Sequence, residues 1–266
     1  MLQFAIIKKE ITTMVDKDEI ITLITGANRG MGFETAKELG QSGQLVIIGS
    51  RNIEKGKEAV KKLTQQNIKA DYVELDVTNT KSVSKAQKEI EKKYGRLNIL
   101  INNAGAVFSG RQLASNLNFD DLRSDMELNY FGLIDVTQRM LPLLKKSEWA
   151  KIINISSMMG SKTAALDPNS EVYRAVAVGY QSAKAAANMY TVQLAKELRA
   201  EDQAITVNAI DPGMVATEFG GATPEQAASM GAKPIEFGVA RTVELATDYN
   251  DRSNGTFTNT HGVVGW

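Results

Sequence analysis

The stretch Ile20-Ile21-Thr22-Leu23-Ile24-Thr25-Gly26-Ala27-Asn28-Arg29-Gly30-Met31-Gly32-Phe33-Glu34-Thr35-Ala36-Lys37 decides the fold. An apolar, β-branched run passes directly into a glycine cluster and then into a segment without helix breakers, which reads as strand, tight turn and helix. Glycines at such a turn let backbone N–H groups approach a phosphate, and the helix start adds the positive end of its dipole. The spacing is G-x-x-x-G-x-G rather than the G-x-G-x-x-G of the commoner dinucleotide fingerprint. The rival reading is a strand-to-helix turn that merely needs glycine, and the strand–turn–helix context favours the nucleotide.

Outward from this turn the same alternation continues. Strands are expected at Ile20–Thr25, Leu45–Gly49, Ala70–Leu75, Leu97–Ile101, Lys151–Ser156 and Ala204–Ile210, with Phe257 in a short last strand. Helical periodicity fills 30–41, 53–66, 80–93, 119–145, 179–200 and 235–247. Strands that alternate with helices, and are apolar along their length, predict an α/β domain with a parallel sheet covered on both faces. No repeat, low-complexity tract or linker interrupts residues 19–266, so one domain is expected there, with 1–18 as an N-terminal extension and Met14 a candidate alternative start.

Composition narrows the chemistry. There is no cysteine, and the single histidine is His261, close to the C-terminal end. That excludes disulfides, thiolate nucleophiles and Cys/His zinc sites, so no metal site is expected, and it leaves a histidine acid/base a poor candidate. Ser, Tyr, Lys, Asp and Glu remain. The 31 basic and 31 acidic residues cancel, which argues against nucleic acid or an anionic membrane as partner. Met1 to Ile7 is a short apolar run followed by Lys8 and Lys9, the reverse of a secretory signal, and no run reaches the roughly 18 residues of a membrane helix. A cytoplasmic protein is the expectation.

The second strand ends in Gly49-Ser50-Arg51-Asn52, where an NAD site usually carries an acid for the ribose 2′-hydroxyl. Here Ser50 and Arg51 stand instead, with Arg29 in the glycine turn. Two guanidinium groups converging on that ribose suit the 2′-phosphate of NADP(H). The rival reading is two solvated surface arginines.

Thr25–Gly32, Asp76-Val77, Asn102-Asn103-Ala104-Gly105, Asn129, Ser157, Tyr180-x-x-x-Lys184 and Pro212-Gly213, in this order, resemble the short-chain dehydrogenase/reductase family over about residues 19 to 266. Leu141–Ser147, Ala185–Met189 and Gly262-x-x-x-Trp266 look further like its C-factor-like carbonyl reductases. The resemblance implies a single-domain Rossmann-type, doubly wound parallel sheet of about seven strands in the order 3-2-1-4-5-6-7. It implies that Gly26, Asn28, Arg29, Gly30, Met31, Gly32, Ser50, Arg51 and Asn52 bind the cofactor, with Asp76 and Val77 beside the adenine. Asn102, Asn103, Ala104 and Gly105 would close over the cofactor, and Asn208, Pro212, Gly213, Val215 and Thr217 would line its nicotinamide side. Without the other motifs, Asn102–Gly105 and Pro212-Gly213 are ordinary turns.

Tyr180 and Lys184 lie four apart and so share one helix face. A phenol titrates near 10, and a neighbouring ammonium lowers that value, which makes a tyrosine an acid/base without histidine. Standing alone, the pair suits a core tyrosine beside a solvated lysine. The resemblance gives Tyr180 the proton transfer, Ser157 (with Ser156 as competitor) the substrate oxygen, Lys184 the nicotinamide ribose and Asn129 a water held by its carbonyl. The expected reaction is NADPH-dependent reduction of a ketone or aldehyde, a small-molecule carbonyl, to an alcohol. An NADP-holding redox sensor and an NAD-dependent alcohol dehydrogenase of the same fold are the alternatives.

Ser157 and Tyr180 are 180 − 157 = 23 positions apart, longer than the family's usual gap. The extra segment at about 163–178 is expected to loop out at the substrate mouth, and Glu218–Pro234, rich in small residues, to form either a mobile lid or a plain flexible connection. The Ala-rich helix 179–200 suits close packing against a second subunit, in a homodimer or homotetramer.

Overall fold

The computed structural model describes residues 19–266; the extension expected at 1–18 lies outside them. Six parallel strands form the body of the sheet: β1 (Ile21–Thr25), β2 (Leu45–Ser50), β3 (Ala70–Glu74), β4 (Ile99–Asn102), β5 (Ala150–Ile155) and β6 (Ile205–Ile210). β7 (Phe257–Asn259) continues parallel, and β8 (Gly262–Val263) turns back antiparallel, giving the order 3-2-1-4-5-6-7-8. The eighth strand is the addition to the expected seven. His261 lies in the turn before it and is exposed.

Helices cover both faces. α3 (Thr80–Tyr94), α5 (Gly132–Leu144) and α7 (Val178–Ala200) bury Val83, Val136, Met140 and Leu194 against Ile21, Leu23, Leu100 and Ile152. α1 (Gly30–Gln41), α2 (Ile53–Thr64) and α9 (Ile235–Thr247) bury Leu39, Leu63 and Leu245 against Ile24, Ile48, Ile101 and Ile153. Successive strand residues serve opposite cores, so the strands read as unbroken apolar runs.

Two features depart from expectation. The helix expected over 119–145 is α4 (Phe119–Met126) and α5 joined by a π turn at Glu127–Phe131. Inside the insertion, α6 (Lys162–Leu166) is tied to the chain end: Thr163 N–H and Oγ1 both donate to the Trp266 carbonyl, at 3.2 and 2.8 Å. The 218–234 segment carries the short α8 (Pro224–Ser229), and its ends are joined where Ala216 N–H donates to Lys233 O (2.9 Å) and Lys233 N–H to Met214 O (2.8 Å). No helix among the described residues is long and apolar enough to cross a membrane.

Candidate active site

The carboxyl ends of β1, β2, β4, β5 and β6 converge on one edge, where a switch in strand order opens a crevice. β1 delivers the glycine turn there. Gly26 and Gly30 have φ of +66° and +57°, which L side chains rarely adopt. Gly32 is required by space, because a Cβ there falls 2.5 Å from Asn103 Nδ2 and 2.9 Å from Ala27 Cα. The facing loop is held by Thr25, whose Oγ1 accepts from Asn103 N–H (3.0 Å) and Ala104 N–H (2.9 Å). Asn103 Nδ2 donates back to Thr25 O at 2.9 Å.

α2 and α3 are capped by Asn52 and Asn79, but no side chain caps α1. Its first N–H groups, beside a cradle cleared of Cβ atoms, suit an anionic phosphate. The residues present therefore fit a dinucleotide. Ser50 is buried and donates to Asn28 Oδ1 (3.2 Å), joining the β2 end to the turn. Asn52 Oδ1 is engaged by Lys55 N–H at 2.9 Å. Asp76 shapes the turn after β3 by accepting from Thr78 N–H (3.0 Å) and Oγ1 (2.8 Å), and Val77 is buried.

Arg29 is ion-paired with Glu218, 189 positions away, while Arg51 is exposed at the start of α2. Arg29, expected with Arg51 at the ribose phosphate, thus has a carboxylate as its partner in this structure. A cleft there is lined by Asn28, Arg29, Lys55, Glu58, Ala59, Lys62 and Glu218.

Ser157, Tyr180 and Lys184 come together where β5 ends and α7 begins. Tyr180 and Lys184 are buried, and the Lys184 ammonium lies 5.5 Å from the Tyr180 ring centroid. Lys184 Nζ donates to Ile155 O at 2.7 Å. The Ser157 side chain lies close enough to the Tyr180 hydroxyl to favour the phenolate, whereas Ser156 donates to Asn188 Oδ1 at 2.5 Å. Burial pushes the Tyr180 phenol well above its ordinary range; Ser157 opposes this, and Asp211 and Asp125 add to it. Burial lowers Lys184 to about 8. The tyrosine pKa was expected below its ordinary value because of the lysine; in this site desolvation of the phenolate raises it instead.

Asn129 lies in the π turn with its side chain committed: Nδ2 donates to Ala106 O (2.8 Å) and Asp125 O (3.0 Å), and Oδ1 accepts from Ala106 N–H (3.3 Å). A Cβ on Gly105 would stand 2.9 Å from Asn129 Oδ1 and 3.8 Å from Lys184 Nζ, so a glycine keeps these groups adjacent. Asn208 does not line the crevice as expected. Its amide donates to Ser253 O (2.7 Å) and its Oδ1 accepts from Thr256 N–H (3.0 Å), so it ties β6 to the chain before β7.

Asp125 and Asp211 are buried organisers that the motifs did not reveal. Asp125 accepts from Phe108 N–H (2.9 Å) and Ser109 N–H (3.0 Å), fixing the loop after Gly105. Asp211 accepts from Met158 N–H (2.9 Å) and Gly213 N–H (3.3 Å), joining the Ser157 loop to Pro212-Gly213. The signal was present for Asp125, which precedes Asn129 by one helical turn. Beyond Gly213, whose φ is +72°, Thr217 is buried and donates its N–H to Val215 O at 2.8 Å. Phe219 then meets Tyr180 edge-on, ring centroids 5.8 Å apart.

Residues 20–228 match the family model described as short chain dehydrogenase. The chain is 35% identical over 221 residues to short-chain dehydrogenase anuI of Penicillium roqueforti (strain FM164), covering 81% of this chain and 86% of that protein. It is 28% identical over 300 residues to salutaridine reductase of Papaver bracteatum, covering 88% and 92%. The solved structure of salutaridine reductase from Papaver somniferum superposes with a TM-score of 0.72 at 25% identity, covering 90% of this chain and 99% of that one.

Proposed function

The chain belongs to the short-chain dehydrogenase/reductase family, and from that premise we propose that it is an NADP(H)-dependent carbonyl reductase acting through Ser157, Tyr180 and Lys184. The observation that carries this reading is the trio itself: Ser157 beside the hydroxyl of a buried tyrosine, with the ammonium of a buried lysine over the tyrosine ring. When bound, a nicotinamide cofactor supplies a hydride to the carbonyl carbon. The glycine turn Gly26–Gly32, Ser50, Arg51, Asp76, Val77, Asn103–Gly105 and Pro212–Thr217 are the residues that would hold it.

This chain's own part is positional and electrostatic. Ser157 and Tyr180 offer two hydroxyls to one carbonyl oxygen, which polarises the carbonyl and fixes its orientation. A phenol pushed upward by burial stays protonated at neutral pH, so Tyr180 Oη holds the proton that the developing alkoxide takes. Lys184, charged below about pH 8, stabilises the phenolate left behind. Ile155 O fixes the ammonium in that position.

The preference for NADP(H) is supported by Ser50 and Arg51 standing at the end of β2 in place of an acid, and by Arg29 in the glycine turn beside a cleft whose lining carries three cations and two carboxylates. The test is oxidation of NADPH and NADH against ketones, aldehydes and quinones. The reading expects turnover of at least one carbonyl class with a kcat/KM for NADPH at least about tenfold that for NADH. Equal use of both cofactors contradicts the NADP assignment, and no turnover of any carbonyl contradicts the reductase assignment.

A further inference from the structure

Two consecutive residues, Glu218 and Phe219, touch both halves of the candidate site. Glu218 pairs with Arg29 at the rim of the cofactor cleft, and Phe219 lies edge-on against Tyr180. The next two residues, Gly220 and Gly221, have φ of +77° and +85°, and a Cβ on either would meet nothing within 4 Å. Behind Glu218 the chain is anchored, because Phe219 N–H donates to Thr217 Oγ1 (3.3 Å) and Thr217 is buried. The excursion is closed at its base by the Val215 and Lys233 bridge. A pinned base, a pair of contacts at the leading edge and a glycine pair beside them give the segment the form of a strap.

Arg29 is where the two halves compete. The Arg29 and Glu218 side chains are 66% and 59% exposed, so their ion pair is weak and exchangeable. A dianionic phosphate is a stronger partner for a guanidinium than one carboxylate. We propose that Glu218 is a built-in competitor for the cofactor's phosphate, so that phosphate binding at Arg29 displaces Glu218 and, with it, lifts Phe219 from Tyr180. This inference rests on the NADP(H) reading above. It makes Glu218 a specificity-determining residue: only a cofactor whose phosphate reaches Arg29 opens the strap, and opening it uncovers the tyrosine for substrate. By linkage, any contact made only in the closed strap weakens cofactor binding by the same free energy that it adds to closure.

The test is calorimetric binding of NADP+ and NAD+ to wild type, Glu218→Gln, Phe219→Ala, Arg29→Gln and the Arg29→Gln/Glu218→Gln double variant. All these side chains are at least two-fifths exposed, so the variants are expected to fold. Glu218→Gln should tighten NADP+ by about two- to fivefold, with a smaller gain for NAD+. Phe219→Ala should also tighten NADP+, by about twofold, although it removes a contact to the substrate side and none to the cofactor. In the Arg29→Gln background, Glu218→Gln should have no effect. NADP+ binding that is unchanged or weaker in Glu218→Gln overturns the proposal, as does an unaltered gain without Arg29. A Phe219→Ala variant with wild-type NADP+ affinity overturns the coupling to Tyr180. If wild type binds NAD+ more tightly than NADP+, the cofactor reading itself fails, and the competition falls with it.

Discussion

Tyr180 and Lys184 sit one turn apart on α7, and burial moves their pKa values in opposite directions. Both shifts favour the neutral forms, because the charged forms are the ones that lose water. The consequence for pH dependence follows from the signs. Tyr180, pushed up, remains protonated across the neutral and mildly alkaline range; Lys184, lowered to about 8, is charged below that pH and neutral above it. The alkaline limb of the reduction therefore belongs to the lysine. Measured from about pH 6 to about pH 10, kcat/KM should be level at first and then fall by about tenfold per unit above pH 8. In Lys184→Arg the limb should leave the accessible range, since a guanidinium keeps its charge. A wild-type profile that stays flat to pH 10 contradicts this assignment.

At the scale of the element, the strand–turn–helix unit of β1 and α1 is the proposed cofactor platform, and its tightest point is Gly32. An alanine there would drive its Cβ against Asn103 Nδ2 at 2.5 Å and against Gly26 O at 2.9 Å. Overpacking of this kind costs about 1–3 kcal/mol. Gly32→Ala should weaken NADP+ binding by about tenfold or more, read by calorimetry; an unchanged affinity would show that the turn does not hold the cofactor. This unit was legible in advance because its information is local: glycine positions, an apolar run and an unbroken helix fix α1 at Gly30–Gln41, as expected. α9 matches its expected span for the same reason. The 119–145 segment has helical periodicity throughout, yet Asn129 bonds to Ala106 and opens a π turn, a partner that periodicity cannot reveal. Glu218 was hidden for a similar reason, since its contact with Arg29 exists only once the fold brings the β1 and β6 ends together. Ser157, Tyr180 and Lys184 were legible through motif order, but the upward shift of Tyr180 depends on burial and was not.

Across the whole molecule the two edges of the sheet divide the work. One carries the crevice; the other is knitted by a second buried lysine. Lys151, near the start of β5, donates to the carbonyls of Leu245 (2.9 Å), Asp248 (2.6 Å) and Asp251 (3.3 Å) and so caps the end of α9. Burial lowers its pKa as it does for Lys184, and its three carbonyl partners lie at and just beyond a helix end. The same residue type thus ties the fold together at one end of the sheet and is proposed to serve the chemistry at the other. That Tyr180 carries the proton transfer, in a chain without cysteine and with one exposed histidine, is the central proposal. The direct measurement is single-turnover reduction of an accepted carbonyl by NADPH in wild type and in a Tyr180→Phe variant that still binds NADPH. The account predicts a rate reduced by at least about a hundredfold when the hydroxyl is removed. Equal rates in the two proteins would contradict it.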